Sequence, residues 1–435
     1  MPDLLSVKDT MDEDRFARLR LISWWDQQKL SQAKFLVIGA GALGNEILKN
    51  LALLGIGNVL VADLDRIENS NLSRSVLFRG EDCGRSKAEV AAIRAREIYP
   101  GMRVQPLTLN IVHDLGAGAY RWADVILGGL DNREARVAIN RAAARAGKVW
   151  IDGAIERLQG VARVFDPACG PCYECTMNEI DWKMLQARRS CALLTRDDMQ
   201  EGKVPTVSTT ASVIAGIQCQ EAVKLIHGLD VLAGRGFVFE GMTHSSYVVA
   251  YTRKDDCPAH DADEPVQVLP LSIAHTRAGD FLERVRSDLG AAAVIETSND
   301  LLASLYCPHC NEDEPYLASL GKVHERQGRC PKCGQHRTPN LYHTIDGNAA
   351  ILDRTLGELG VPLWDVLAGR RGVQQTFYEF AGDRPAVLGA IGGSFNPDGA
   401  PAQWVAATVL DRAVAAGSGL NEARLRPEQP KPETE

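Results

Sequence analysis

The stretch Lys34–Arg74, KFLVIGAGALGNEILKNLALLGIGNVLVADLDRIENSNLSR, leaves this chain few ways to fold. An apolar run, Phe35–Ile38, enters Gly39-Ala-Gly41-Ala-Leu-Gly44, and a helical pattern follows at once. A second apolar run, Val59–Ala62, ends on Asp63. The order predicts a βαβ unit with a Gly-rich turn. Gly39 permits the turn, Gly41 lets the backbone approach a phosphate, and Gly44 lets helix and strand pack closely. The helix N-terminus offers free N–H groups and partial positive charge to an anion. Asp63 stands at the interval expected for a carboxylate that binds ribose hydroxyls. Alone, the motif says nucleotide without saying which.

The residues just after it narrow the choice. A nicotinamide site needs a ribose acid and a pyrophosphate cradle, with no cluster of cations beyond them. Here come Asp65, then Ser70-Asn71-Leu-Ser-Arg74, then Gly84-Arg-Ser-Lys87. An Arg, a Lys and an amide close after the ribose acid suit a triphosphate, whose charge must be neutralised before a nucleophile can attack it. Asp124–Asn132 (DVILGGLDN) reads as another buried strand ending in an acid. Asp131 then falls where open α/β sheets bind ligands. One carboxylate plus substrate phosphates is the usual way to hold Mg²⁺.

In their order and spacing, VIGAGALGNE, VADLDRIENSNLSR, GRSK and GGLDN resemble the ThiF-type adenylating family, from about Arg15 to His260. That family includes ubiquitin-activating enzymes and the enzymes that activate sulfur-carrier proteins. The resemblance implies a Rossmann-like α/β adenylation domain with a mixed, mostly parallel sheet. It implies that Asp63, Asn71, Arg74, Lys87 and Asp131 bind ATP and Mg²⁺. Arg15-Phe-Ala-Arg18 is similar to a family motif whose second Arg reaches the partner subunit's phosphates, so Arg18 becomes an arginine finger across a homodimer. An ordinary surface charge is the other reading of Arg18.

The remaining pattern supports a two-faced sheet. Ser86–Ile98, Asn132–Ala146 and Val207–His227 read as helices. Met102–Leu107, Val149–Asp152 and Gly160–Phe165 read as strands, the last beginning an antiparallel portion. Strands alternating with helices imply a largely parallel sheet covered on both sides. The net charge of -8, with no Lys/Arg-rich run, argues against nucleic acid as the main partner. The N-terminus shows no signal-peptide core, and no apolar stretch approaches the ~18 residues of a membrane span. Most of the eleven cysteines sit in CxxC pairs, which suggests thiols and metal in a reducing cytoplasm.

Cys169-Gly-Pro-Cys172-Tyr-Glu-Cys175 favours metal over redox use. In the family a second CxxC joins the first around zinc; here the matching segment is Cys257-Pro-Ala-His260. The resemblance thus implies a structural Cys₃His site of Cys172, Cys175, Cys257 and His260. Two alternatives stay open: Cys169 as a substitute ligand, and His260 as a bystander. Thr176–Pro205 reads as a long, charged, irregular loop carrying Cys191 after Arg188-Arg189-Ser190. Two adjacent cations would raise the thiolate fraction. Thioester-forming family members carry their nucleophile in this crossing loop, and Cys191 matches that placement; sulfur-carrier activators often have a dispensable cysteine there. Cys83 and Cys219 read as small buried hydrophobes.

Past about Asp263 the resemblance ends. Gln267–Leu269, Arg277–Leu289 and Ala292–Glu296 suggest strand, helix, strand. Cys307-Pro-His-Cys310 and Cys330-Pro-Lys-Cys333 have the spacing of a structural zinc ribbon, with His309 and His336 as spectators. Thr355–Arg371 reads as helical with a Pro break and Thr376–Phe380 as a strand, a weak likeness to the ubiquitin-fold domain of activating enzymes. Asn396–Pro401 reads as a turn-rich loop. The expected domains are 1–262 for adenylation, 263–424 for the zinc-ribbon and partner-binding region, and a disordered tail at 425–435. The layout resembles the activating enzymes of bacterial ubiquitin-like conjugation operons, some of them antiphage. It implies adenylation of a ubiquitin-like protein's C-terminal glycine, a thioester on Cys191, and transfer to a conjugating enzyme. Sulfur-carrier adenylylation is the alternative; a nicotinamide oxidoreductase or a non-catalytic zinc scaffold rank below it.

Overall fold

The computed structural model describes residues 14–189, 205–260, 265–320, 323, 325–347 and 349–392. Cys191, the loop at 396–401 and the tail at 425–435 lie outside the described residues.

Helix α1 (Gln27–Gln32), capped by the Asp26 carboxylate, leads into strand β1 (Lys34–Ile38). Then follow α2 (Ala42–Leu53), β2 (Asn58–Ala62), α3 (Lys87–Ile98), β3 (Arg103–Leu107), α4 (Ala117–Trp122) and β4 (Val125–Gly128). Next come α5 (Arg133–Arg145), β5 (Trp150–Glu156), β6 (Gln159–Phe165), α6 (Glu179–Arg189), α7 (Ser208–Ile226), β7 (Arg235–Glu240) and β8 (Ser245–Ala250). The eight strands form one sheet in the order β3-β2-β1-β4-β5-β6-β7-β8. Pairing is parallel from β3 to β5 and antiparallel from β5 to β8. The strand order reverses between β1 and β4, which opens a crevice at their carboxyl ends.

Burial explains why β1 is apolar throughout. Phe35 and Val37 face a core shared with α2, α3 and α7, while Leu36 and Ile38 face one built with α4 and α5. Each such side chain contributes about 1.5–3 kcal/mol over leaving it in water. Side-chain caps set helix starts: Ser86 accepts from the Glu89 N–H at α3, and Asn132 accepts from the Ala135 N–H at α5.

The second sheet contains β9 (Val266–Leu269), β10 (Val294–Cys307), β11 (Glu312–Ser319), β13 (Val366–Arg371) and β14 (Gln374–Phe380). Their order is β11-β10-β13-β14-β9, and β12 (Thr338–Ile345) also pairs with β10. Helix α8 (Ala278–Leu289) buries Phe281, Leu282 and Val285 against it. Trp364 joins the two sheets. It is 2% exposed, lies in the core beneath α4, and adopts a φ of +56°. A Cβ on Gly118 would stand 2.4 Å from its indole, so only glycine lets the ring in. Around it, the Gly118 N–H donates to Trp364 O at 2.9 Å and the Ala117 N–H donates to Asp365 at 2.8 Å. Arg121 pairs with Glu379 at 2.9 Å. A left-handed φ costs a residue with a Cβ about 1–2 kcal/mol, and these contacts hold it.

Three expectations differ from the structure. Thr355–Arg371 is not helical: turns occupy its first part, and Val366–Arg371 is strand β13 between β10 and β14. A short apolar run does not tell strand from buried helix, and here pairing partners on both sides decide it. Thr176–Pro205 is not irregular throughout, because Glu179–Arg189 forms α6 with Leu185 buried. Cys83 is exposed, whereas Cys219 is buried with its thiol on Ile47 O at 3.8 Å.

Trp364→Ala should lower stability by about 3–5 kcal/mol, as expected for emptying a buried tryptophan site. Urea denaturation measures it; a loss below about 1 kcal/mol would contradict the joint described here.

Candidate functional site

The Gly-rich turn sits where β1, β2 and β4 end. The Gly39 N–H donates to Ala62 O at 2.8 Å, and the Gly129 N–H donates to Ile38 O at 2.8 Å. Gly39 has a φ of +92°, and a Cβ there would lie 2.5 Å from Gly129 O. A Cβ on Gly44 would lie 1.9 Å from Gly39 O. Gly41 differs: a Cβ there would meet nothing within 4 Å. The turn is therefore closed at its two ends and open in the middle, beside an α2 N-terminus that no side chain caps. That shape and charge fit a phosphate group.

Asp63 ties the turn to β2. Its Oδ2 accepts from the Ala40 N–H at 2.6 Å, and its Oδ1 accepts from the Asp65 N–H at 2.7 Å. Burial pushes its carboxyl above the usual range, against the opposing pull of Lys87 and the Ala40 N–H. Lys87 arrives because segment 65–67 pairs with segment 84–87: the Ile67 N–H donates to Arg85 O, the Gly84 N–H to Ile67 O, and the Lys87 N–H to Asp65 O. The Lys87 ammonium then lies 2.8 Å from Asp65 Oδ2. Burial alone would lower its pKa, but Asp63, Asp65 and Asp131 outweigh that and hold it above an ordinary lysine. One cation therefore serves three carboxylates.

Asp131 is exposed two residues beyond Gly129, and Asn132 Nδ2 donates to its Oδ1 at 3.3 Å. An exposed carboxylate beside a phosphate-shaped turn suits Mg²⁺ chemically. Asn71 is buried, its Oδ1 accepting from the Glu68 N–H at 2.9 Å, and Arg74 donates to Ser70 O at 2.7 Å. Arg18 stands apart. Phe16 packs against Gly55, and Arg15 donates to Ile98 O at 2.7 Å, so this segment is moored where α2 and α3 end. The turn lies at the other end of α2, a helix about 18 Å long.

Sequence reasoning passed over three residues here. Asn45, fully buried, donates to Ala40 O at 2.7 Å and accepts from the Leu77 N–H at 2.9 Å, stitching the turn to the segment beyond Arg74. Arg136 and Asp152 form an ion pair at 3.0 Å under the site. The available signal was an acid in the otherwise apolar run Trp150-Ile151-Asp152.

Cys172, Cys175, Cys257 and His260 converge, with ligand atoms all within 4.8 Å of one another. Cys172 Sγ is 3.7 Å from Cys175 and 3.6 Å from Cys257, and Cys175 Sγ is 3.2 Å from His260 Nε2. Tetrahedral zinc with bonds of about 2.3 Å sets sulfurs about 3.8 Å apart, so the donor set fits. Cys169 is exposed and donates to Asp166 at 3.4 Å, outside the cluster. Cys307, Cys310, Cys330 and Cys333 form a second group, with Sγ distances of 3.6 Å (Cys307–Cys333) and 3.8 Å (Cys310–Cys330). His309 and His336 are exposed. Four thiolates leave no open coordination position, so this group suits a structural ion. Among the described residues, no helix is long and apolar enough to cross a membrane.

Residues 13–259 match the family described as "ThiF family". The chain is 31% identical over 247 residues to a sulfur carrier protein adenylyltransferase of Thermus thermophilus, covering 55% of this chain and 86% of that one. It is 43% identical over 157 residues to the NEDD8-activating enzyme E1 catalytic subunit of Arabidopsis thaliana, covering 33% of this chain and 34% of that one. A SAMP-activating enzyme E1 of Haloferax volcanii is 32% identical, with 53% of this chain and 82% of that one covered. A solved structure of Escherichia coli MccB with ATP matches at a TM-score of 0.48 and 23% identity, over 58% of this chain and 75% of that one.

Elemental analysis of the purified chain should find two zinc ions per chain. His260→Ala should leave one and His260→Cys should keep two; two ions retained in His260→Ala would make His260 a bystander.

Proposed function

Because the chain belongs to the ThiF family, we propose that it adenylates the C-terminal glycine of a ubiquitin-like protein and then holds that protein as a thioester. Adenylyl transfer to a ubiquitin-like or sulfur-carrier protein follows from the family. The observation that carries the chemistry is the Lys87 ammonium among Asp63, Asp65 and Asp131, beside the open middle of the glycine turn.

Both reactants are anions. A carboxylate oxygen attacks the α-phosphorus of ATP, the bond to the β-phosphate oxygen breaks, and pyrophosphate leaves with the electron pair. Repulsion is the obstacle, and positive groups fixed in advance offset it. Lys87 and Arg74 would meet the phosphates, with Asn71 in the wall between them. Asp63 and Asp65 would bind ribose and nucleotide, while Gly39, Gly41 and Gly44 keep the backbone close. Asp131 would hold Mg²⁺, which supplies further charge neutralisation. Zinc on the two cysteine groups would be structural.

Arg18 is moored away from its own turn, which supports its reaching the site of a second copy in a homodimer. The thiolate of Cys191 would attack the acyl-adenylate carbonyl, expelling AMP, and a conjugating enzyme's thiol would take the acyl group. The zinc-bearing region at 263–424 would serve as the partner-binding domain. A bacterial, antiphage conjugation pathway in the cytoplasm is the setting we favour. The second reading, sulfur-carrier activation without a thioester, is favoured by the relative covered over 86% of its length.

Two experiments test the thioester and the arginine finger in turn. Incubation with ATP and a Gly-ended ubiquitin-like protein should give a thiol-sensitive adduct by mass spectrometry that Cys191→Ala abolishes; an undiminished adduct rejects Cys191. Mixing inactive Arg18→Ala with inactive Asp131→Ala should restore roughly a quarter of wild-type pyrophosphate release, since only mixed dimers keep one intact site. No restoration would mean that Arg18 does not act across a dimer.

A further inference from the structure

Arg136 is 8% exposed and makes three hydrogen bonds, one to the turn just past β4 and two to the middle of β5, beside the carboxyl end of β4. Its Nε donates to Asp152 at 3.0 Å, and its Nη2 donates to Leu130 O at 2.5 Å and to Gly153 O at 3.1 Å. Leu130 is the residue before Asp131. On the far side of Asp131, Asn132 is pinned as the cap of α5 and donates its Nδ2 to the Asp131 carboxylate. The acid is thus held by the backbone before it and by the side chain after it.

Asp152 cannot be an idle partner. It is fully buried between two guanidinium groups, Arg136 on one oxygen and Arg163 on the other at 2.9 Å. Arg163 in turn lies over the Tyr173 ring at 5.1 Å. One cation would balance the buried carboxylate's charge; Arg163 covers its second oxygen, and Arg136, with one donor on the first, places its Nη2 donors on Leu130 and Gly153. The guanidinium fork matters, because lysine has the charge without the planar set of donors.

We infer that Arg136 is a positioning residue for Asp131: it fixes the Leu130 carbonyl so that the Asp131 carboxylate faces the divalent cation and the nucleotide phosphates. Arg163 serves the same acid, Asp152, without touching the Leu130 turn. The inference rests on the adenylation reading above, and the two can fail separately.

Mn²⁺ binding to the full chain in the presence of α,β-methylene-ATP, followed by electron paramagnetic resonance, tests it alongside thermal denaturation. Arg136→Lys should weaken Mn²⁺ binding about tenfold or more, the scale of lost support behind a metal ligand, while Arg163→Lys changes it less than about threefold. Arg136→Gln, which keeps one neutral amide in place of the guanidinium fork, replaces the lysine variant if that one fails to fold, with the same expectation. An Arg136 variant that binds Mn²⁺ within about twofold of wild type, or no more weakly than Arg163→Lys, overturns the inference and leaves a role in stability alone. A wild-type chain that binds no Mn²⁺ with the analogue overturns the adenylation reading as well.

Discussion

A single ammonium holds the site together. Lys87 sits against Asp65 at 2.8 Å, close enough to Asp63 and Asp131 for all three acids to raise its pKa. Three negative groups around one positive one leave a local excess of negative charge. A triphosphate can enter only with additional cations, which is the demand that Arg74, a divalent ion and a second subunit's arginine meet in the proposed reaction. Lys87 is itself largely buried but rests on the exposed Asp65 carboxylate, which water can take over when the ammonium turns to a phosphate.

The scaffold keeps that cation where it is useful. Gly39 and Gly44 fail sterically with any side chain, so the turn has one shape. Helix α5 links the site to the first cysteine group. It starts at the Asn132 cap beside Asp131 and two turns on carries Asn140, which accepts from the Tyr173 N–H at 2.8 Å, and Arg141, which meets the buried Glu174 at 2.8 Å. Tyr173 and Glu174 lie between Cys172 and Cys175. A metal there would stiffen the knuckle against which α5 rests. On the other side, Trp364, just ahead of β13, enters the core beneath α4, while the second sheet keeps a core of its own with α8.

The first sheet could be read from the sequence because its signals are local. The glycine turn, the caps Ser86 and Asn132, and unbroken apolar strands each declare an element within a few residues. The cysteine spacing marked the ribbon pairs and Cys172–Cys175, since ligand pairs close together in sequence stay close in space, whereas Cys257 and His260 came from the resemblance to the family. What escaped was non-local. β13 has a short apolar run whose strand character comes from β10 and β14. The Arg136–Asp152 pair joins a helix to a strand, and Trp364 finds its glycine notch across 246 residues of chain, counted from Gly118. Cys83 was misplaced because a small side chain carries almost no pattern of its own.

Exchange of labelled pyrophosphate into ATP, in the presence of a ubiquitin-like or sulfur-carrier protein ending in glycine, tests the central claim most directly. The account predicts exchange that requires the partner's C-terminal carboxylate and falls by about 10²-fold or more in Lys87→Ala, as for loss of one preorganised charge at a transition state. Full-rate exchange without Lys87, or none with any such partner, would contradict it.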